Sequence, residues 1–239
     1  RQFEHYLSPP LIQRLQQDPS LLKLGGERRQ LTLLFCDVRG FTTISEQFKD
    51  SPEGLVELIN EFLTPMTGTI LDNNGTIDKY MGDCIMAFWN APLDVPSQQS
   101  AAARTVLSMQ DLLIKLNDKL TGEGKLPLKI GIGLNTGECI VGNVGSEQRF
   151  DYSALGDSVN LASRLEGQTK DYGVTNIFSE TSLDRSGQYS FVELDKIVVK
   201  GKAEAVTIYT CLGTFDTVKD FDFDAHEKLL TLYRSQKWN

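Results

Sequence analysis

The run Leu31-Thr32-Leu33-Leu34-Phe35-Cys36 carries no charge and stops abruptly at Asp37. That pattern reads as a strand buried on both faces, which must be covered from above and below. The following segments can provide the cover. Ser51-Pro52 opens a helix with Leu55, Ile59, Phe62, Leu63 and Met66 near the 3.6-residue period. Asn73-Asn74-Gly75 is a turn, and residues 76–80 and 84–89 then read as two strands joined at Met81-Gly82-Asp83. Pro96-Ser97 starts a second helix, with Val106, Leu112, Leu113 and Leu116 on its apolar stripe. Leu128, Ile130, Ile132 and Leu134 alternate with Lys129, Gly131 and Gly133 in a strand, and Gly137 leads into another through Ile140 and Val141. The order βαββαβ is that of an α+β ferredoxin-like palm with its helices on one face.

Further elements extend this core. Asp157 is expected as the N-cap of a helix running to about Lys170. Weaker strands lie around Ile177-Phe178, residues 191–194 and residues 206–212, and a short helix starts near Asp222. The chain of 239 residues thus divides into a lead-in at 1–29, a core at 30–213 and a tail at 214–239. Within the lead-in, Leu7-Ser8-Pro9-Pro10 starts a helix through Ile12, Leu15 and Leu21-Leu22 that Gly25-Gly26 breaks. The start, Arg1-Gln2-Phe3-Glu4, lacks both Met and a signal-peptide pattern, and reads as the edge of a fragment. No stretch has the ~18 apolar residues of a membrane span.

Charge and composition exclude several chemistries. A net charge of −8 argues against a broad nucleic-acid or anionic-membrane surface, so a phosphate ligand must be held by a few local cations or by metal ions. The four cysteines, Cys36, Cys84, Cys139 and Cys211, are dispersed with no CxxC pair, as expected of buried thiols in a reducing compartment. His5 and His226 stand near opposite ends, which disfavours a zinc site or a Ser-His-Asp triad. Any metal chemistry is therefore oxygen-ligand chemistry, with Mg²⁺, Mn²⁺ or Ca²⁺.

Four segments carry candidate chemistry. Asp37 ends the buried strand, Gly40 permits close backbone approach, and Phe41-Thr42-Thr43 opens a helix whose amides suit phosphate; the plain alternative is that Asp37 caps a turn. Asp83 lies in the hairpin turn of Asp78-Lys79-Tyr80-Met81-Gly82-Asp83, where a carboxylate is common and Lys79 is a ready ion-pair partner. Taken together, Asp37 and Asp83 at neighbouring strand ends repel unless a divalent cation lies between them, which suits phosphoryl transfer. Asn160 and Arg164, at i and i+4, share one helix face and offer an amide and a charged fork to ribose and phosphate oxygens. Otherwise that stripe is an ordinary surface with Arg164 paired to Glu166 or Asp171. Lys200-Gly201-Lys202 either holds a triphosphate tail or is a solvated loop.

Together, Asp37-x-x-Gly40-Phe41-Thr42, Lys79-x-x-Gly82-Asp83 and Asn160-x-x-x-Arg164 resemble the class III adenylate and guanylate cyclase catalytic domain over roughly residues 28–213. The lead-in, with Leu24-Gly25-Gly26-Glu27-Arg28-Arg29, resembles bacterial members that carry a membrane-bound sensor upstream. The resemblance implies an antiparallel head-to-tail homodimer with sites at the interface, a catalytic domain in the cytoplasm and a membrane anchor in the missing N-terminal part. It further implies that Asp37, Asp83 and the Val38 carbonyl ligate two divalent cations, Mg²⁺ or Mn²⁺. Lys79 and Ser153 then read the purine, and Phe41 and Thr42 lie along the substrate. Asn160 orients the ribose, Arg164 stabilises charge on the reacting phosphate, and Lys200, with Lys202 as its competitor, contacts the triphosphate.

The expected substrate is ATP, cyclised to 3′,5′-cyclic AMP and pyrophosphate. Lys79 can donate to adenine N1, whereas guanine N1 carries a proton. Ser153 can accept from the adenine amino group or donate to a guanine carbonyl, so it leaves the choice open. The rivals are a guanylate cyclase on the same scaffold and a silent nucleotide-binding dimerisation module. A diguanylate cyclase ranks lower, because the segment around Gly82-Asp83-Cys84 lacks the Gly-Gly-Asp/Glu-Glu-Phe signature.

Overall fold

In the computed structural model, β1 (Gly25–Val38) is the central strand, antiparallel to β3 on one side and to β4 on the other. The structure describes residues 24–198, 205–219 and 221–235, with the single positions 12 and 16. The chain continues as α1 (Phe41–Glu46), α2 (Pro52–Asp72), β2 (Thr76–Met81), β3 (Cys84–Trp89), α3 (Gln98–Gly122), β4 (Ile130–Gly145) and β5 (Phe150–Leu155). It ends with α4 (Asp157–Gln168), β6 (Asn176–Ser179), β7 (Tyr189–Ile197), β8 (Val206–Thr214) and α5 (Phe223–Arg234). The eight-stranded sheet has the order β2-β3-β1-β4-β6-β8-β7, with β5 paired to β4. No helix among the described residues is long and apolar enough to cross a membrane.

β1 is buried on both faces as its sequence requires. Leu34, Cys36 and Val38 meet Phe62 and Met66 of α2 and Val106 and Met109 of α3. Leu31, Leu33 and Phe35 face the other way, with Phe88, Val141, Ala154 and Ala162. The helices are therefore divided between the faces, with α2 and α3 on one and α4 on the other. The two helices of the βαββαβ core share one face as expected, and the additional helix α4 covers the other, where Leu161 and Leu165 pack with Ile177 and Ile208.

Several boundaries differ from the sequence reading. β1 starts at Gly25, so residues 25–29 pair with 139–143 of β4. The two strands expected around Gly137 are one, because β4 is paired to β1 from Gly25↔Asn143 to Val38↔Ile130 and the glycine interrupts nothing. β5 was not expected at all. Gly156, not Asp157, is the N-cap of α4, with no side-chain cap; Asp157 is the first helical residue, where a negative charge favours the helix dipole. Asp222 does cap its helix, accepting from the Ala225 amide at 2.9 Å. The expected lead-in helix lies outside the described residues, apart from Ile12 and Gln16, which are helical.

Candidate active site

The β2–β3 hairpin positions the first group. Its loop is Gly82-Asp83, and Gly82 at φ +67° takes a left-handed conformation that a side chain would resist. This tight turn brings Asp83 back against the end of β1, where the Val38 amide donates to Asp83 Oδ2 at 3.1 Å. Asp37 lies within hydrogen-bonding reach of Asp83. Burial, the Asp83 carboxylate and then Glu166 push Asp37 up to about 7. Its neighbour thiols are held neutral by the same surroundings: burial pushes Cys84 up to about 12 and Cys36 well above the usual thiol range.

Asp37 and Asp83 thus form an oxygen-donor pair, and among the described residues no ion pair joins either of them to a cation. No larger cluster of His, Cys, Asp and Glu surrounds them among the described residues. Two carboxylates without a full protein cage match a Mg²⁺-type ion that completes its shell with substrate phosphates and water. The donor set therefore fits the expected metal.

Phe41 and Thr42 head α1 beside this pair. Phe41 lines an apolar pocket under Asp83 with Val38, Leu58 and Phe62, while Thr42 is exposed. The Thr43 amide is already spent on the Gly40 carbonyl at 3.0 Å, so the offered helix-start amides reduce to those before it.

A second group lies where β2 meets β5. The register between β2 and β3 slips between Ile77 and Lys79, a bulge that leaves Asp78 without a cross-strand partner and re-aims its side chain. The Asp78 side chain is fully buried. It accepts from the Ser153 hydroxyl at 3.0 Å and 2.9 Å, through its two oxygens, and from the Ala154 amide at 3.0 Å. The Lys79 ammonium stands 3.3 Å from Asp78 Oδ1 with its side chain 43% exposed. Burial pushes Asp78 up, against the pull of these donors. Lys79 and Ser153, 74 positions apart by number, thus meet around one carboxylate. The sequence places Asp78 in the strand at 76–80 without a role; the signal that would find it is a charged residue at an inward strand position, here facing β5.

Helix α4 carries the third group. It lies directly on β4 because Gly133 has no side chain: a Cβ there would stand 2.1 Å from the Glu166 amide nitrogen and 2.4 Å from the Ala162 carbonyl. Asn160 is exposed and Arg164 half-buried. One terminal nitrogen of Arg164 is buried without a hydrogen-bond partner. The alternative pairing of Arg164 with Glu166 or Asp171 does not form: Glu166 feels Arg39 and Lys170, and Asp171 accepts from Gln168 at 3.2 Å. No described hydrogen bond or ion pair joins Asn160 or Arg164 to Asp37 or Asp83. Arg39, also missed from sequence, ties the end of β1 to the Val174 carbonyl. Lys200 and Lys202 lie outside the described residues.

A carboxylate pair at the end of a palm-like central strand, with a strand-borne lysine held on Asp78 and a helix-borne arginine standing apart from the pair, is a layout suited to nucleotide phosphoryl transfer. The chain belongs to the adenylate and guanylate cyclase catalytic domain family, whose model matches residues 26–212. An adenylate cyclase of Anabaena cylindrica is 39% identical over 193 residues, 77% of this chain and 37% of the relative, so the chain spans little more than a third of that protein. The crystal structure of the adenylyl cyclase CyaB from P. aeruginosa superposes with a TM-score of 0.73 at 34% identity, covering 83% of this chain and all of that one (100%). That of the guanylyl cyclase Cya2 gives 0.69 at 34% identity, with 84% and 100% covered.

Proposed function

We propose that this chain is the catalytic part of an adenylate cyclase, converting ATP to 3′,5′-cyclic AMP and pyrophosphate. The observation that carries the choice of base is Lys79, an exposed ammonium fixed 3.3 Å from Asp78 beside Ser153. It can donate to adenine N1 and meets a proton on guanine N1. The names of the Anabaena relative and of CyaB support the same reading.

In this reading Asp37 and Asp83, with the Val38 carbonyl, would hold two divalent cations, Mg²⁺ or Mn²⁺, which supply charge to the triphosphate and acidity to the 3′-hydroxyl. Asn160 orients the ribose so that its 3′-oxygen stands in line with the α-phosphorus, and Arg164 places its guanidinium, one buried nitrogen of which has no partner, where negative charge grows. The nucleophile is tethered to its target, so positioning is most of what the chain must do. Phe41 supports the metal end from beneath, Thr42 borders the triphosphate, and Lys200 grips its tail.

Because Arg164 and Asn160 make no described contact with the carboxylates, the complete site is assigned to an antiparallel head-to-tail homodimer, each chain lending one half. Residues 1–29 deliver the signal of an upstream sensor, and their last strand residues reach β5 through β4: Gly26 pairs with Gly142, and Gly142 with Ser153. The domain works in the cytoplasm, with a membrane anchor assigned to the protein upstream of it. Residues 30–213 form the catalytic unit and 214–239 a tail.

The likeness to Cya2 favours a second reading, a guanylate cyclase. Incubating the purified protein with Mn²⁺ and either ATP or GTP, with product identification, separates the two. Cyclic AMP from ATP in clear excess is expected; equal or greater turnover of GTP overturns the proposal.

A further inference from the structure

The hydroxyl of Ser153 has one proton, and the structure shows where it goes. Asp78 is an acceptor on both oxygens, 2.9 Å and 3.0 Å from Ser153 Oγ, and an ionised carboxylate has nothing to donate in return. The Ala154 amide and the Lys79 ammonium complete a ring of donors around it. The Asp78 side chain is fully buried, so water does not replace these donors on the carboxylate. We infer that Asp78 is a positioning residue for base selectivity: by holding the Ser153 proton it leaves Ser153 as an acceptor only.

The inference rests on the reading of Lys79 and Ser153 as the base-contacting pair. A free serine hydroxyl is ambivalent, since it rotates to accept from the adenine amino group or to donate to a guanine carbonyl. With its proton committed to Asp78 it satisfies the amino group, while a guanine carbonyl would face lone pairs with no hydrogen between. A buried acceptor left without a donor lowers affinity roughly tenfold to a hundredfold. Lys79 and the Asp78–Ser153 unit then discriminate at adjacent edge positions of the purine, in the same direction. The bulge at Asp78 is what turns this carboxylate under β5, so selectivity depends on a backbone irregularity rather than on Ser153 alone.

The test is the ratio of kcat/KM for ATP to that for GTP in the wild type, D78N, S153A and the double variant. Asn keeps the shape of Asp and can accept from Ala154, but its amide donates to Ser153 and frees the hydroxyl proton. D78N is expected to lower the ratio about tenfold by raising GTP turnover, S153A to lower it by losing ATP turnover, and D78N to change nothing further once Ser153 is Ala. If S153A shifts the ratio and D78N does not, the inference falls while the base-reading assignment stands. If S153A leaves the ratio unchanged, that assignment fails and takes the inference with it. An equal D78N effect in the S153A background means that Asp78 acts through Lys79, which also overturns the inference. Should D78N not fold, the wild type is assayed with purine riboside triphosphate, which lacks the 6-amino group and so tests the Ser153 contact on which the inference stands. An approximately tenfold loss against ATP is expected, and no loss is fatal.

Discussion

Two carboxylates within hydrogen-bonding reach, with Glu166 adding a third negative charge, are an unfavourable arrangement for a folded chain. Asp37 is pushed up to about 7 by burial and by these neighbours, so in the metal-free protein the native structure resists its ionisation. Under the proposed function the pair is accounted for better than by stability, because a divalent cation would use both charges. Asp37→Asn should therefore reduce metal-dependent turnover by about a hundredfold or more, the scale of a lost metal ligand. The same variant should melt no lower than the wild type in metal-free buffer at pH 8, and a gain is consistent with relieved repulsion. A cyclase assay with Mn²⁺ and a thermal melt check the two halves. A large drop in melting temperature would mean that Asp37 holds the fold rather than the ion.

At the scale of elements, the docking of α4 on β4 depends on a missing side chain. Gly133→Ala forces a Cβ to 2.1 Å from the Glu166 amide nitrogen, a backbone atom that cannot swing aside. The helix must lift, costing about 1–3 kcal/mol as overpacked sites do. Since α4 carries Asn160 and Arg164, turnover should fall as well, with kcat affected more than KM; urea midpoints and steady-state kinetics report both. An unchanged midpoint would show that the contact is slack. This docking also shows what the sequence could and could not reveal. The alternation of Ile130, Ile132 and Leu134 with glycines announced a strand, but not that its glycine face was a helix bed. The β2–β3 hairpin was legible because Gly82-Asp83 between apolar runs is a local signal. The bulge at Asp78 was not, because the partners its carboxylate meets, Ser153 and Ala154, lie on β5, and of that strand the sequence singles out only Ser153. The continuity of β4 was misread for a related reason: Gly137 looks like a break locally, and only the full length of β1 beside it keeps the strand extended. Asp37 and Asp83 stood out because strand ends and turns are local features. Their joining by the Val38 amide is a tertiary fact.

For the whole molecule, the dispersed thiols make stability sensitive to alkali. Burial pushes Cys211 up to about 12 and Cys139 up to about 11, so both stay protonated in the fold where an unfolded thiol, near 8.5, would ionise. The raised native pKa means this contribution is fully present below about pH 8.5 and is lost as pH rises through the native values, at about 1.4 kcal/mol per pH unit for each thiol. Urea midpoints at pH 8 and pH 10 should therefore fall less steeply for Cys211→Val than for the wild type. Parallel slopes would remove Cys211 from the account.

The assembly makes the last demand. If each site takes Asp37 from one chain and Arg164 from its partner, a dimer of Asp37→Ala chains has no working site, and neither has a dimer of Arg164→Ala chains. A mixed dimer is different. One of its sites collects both lesions, and the other collects none, since the Arg164→Ala chain brings its intact Asp37 to the intact Arg164 opposite. Random pairing of equal amounts makes half the dimers mixed, and one site in two of those works, so co-expression should restore about a quarter of wild-type turnover from two nearly inactive proteins. Activity measured on co-purified chains carrying different tags tests this directly. A mixture no more active than its components would place both residues in a single chain's site, and the two-chain arrangement would have to be abandoned even if the cyclase chemistry held.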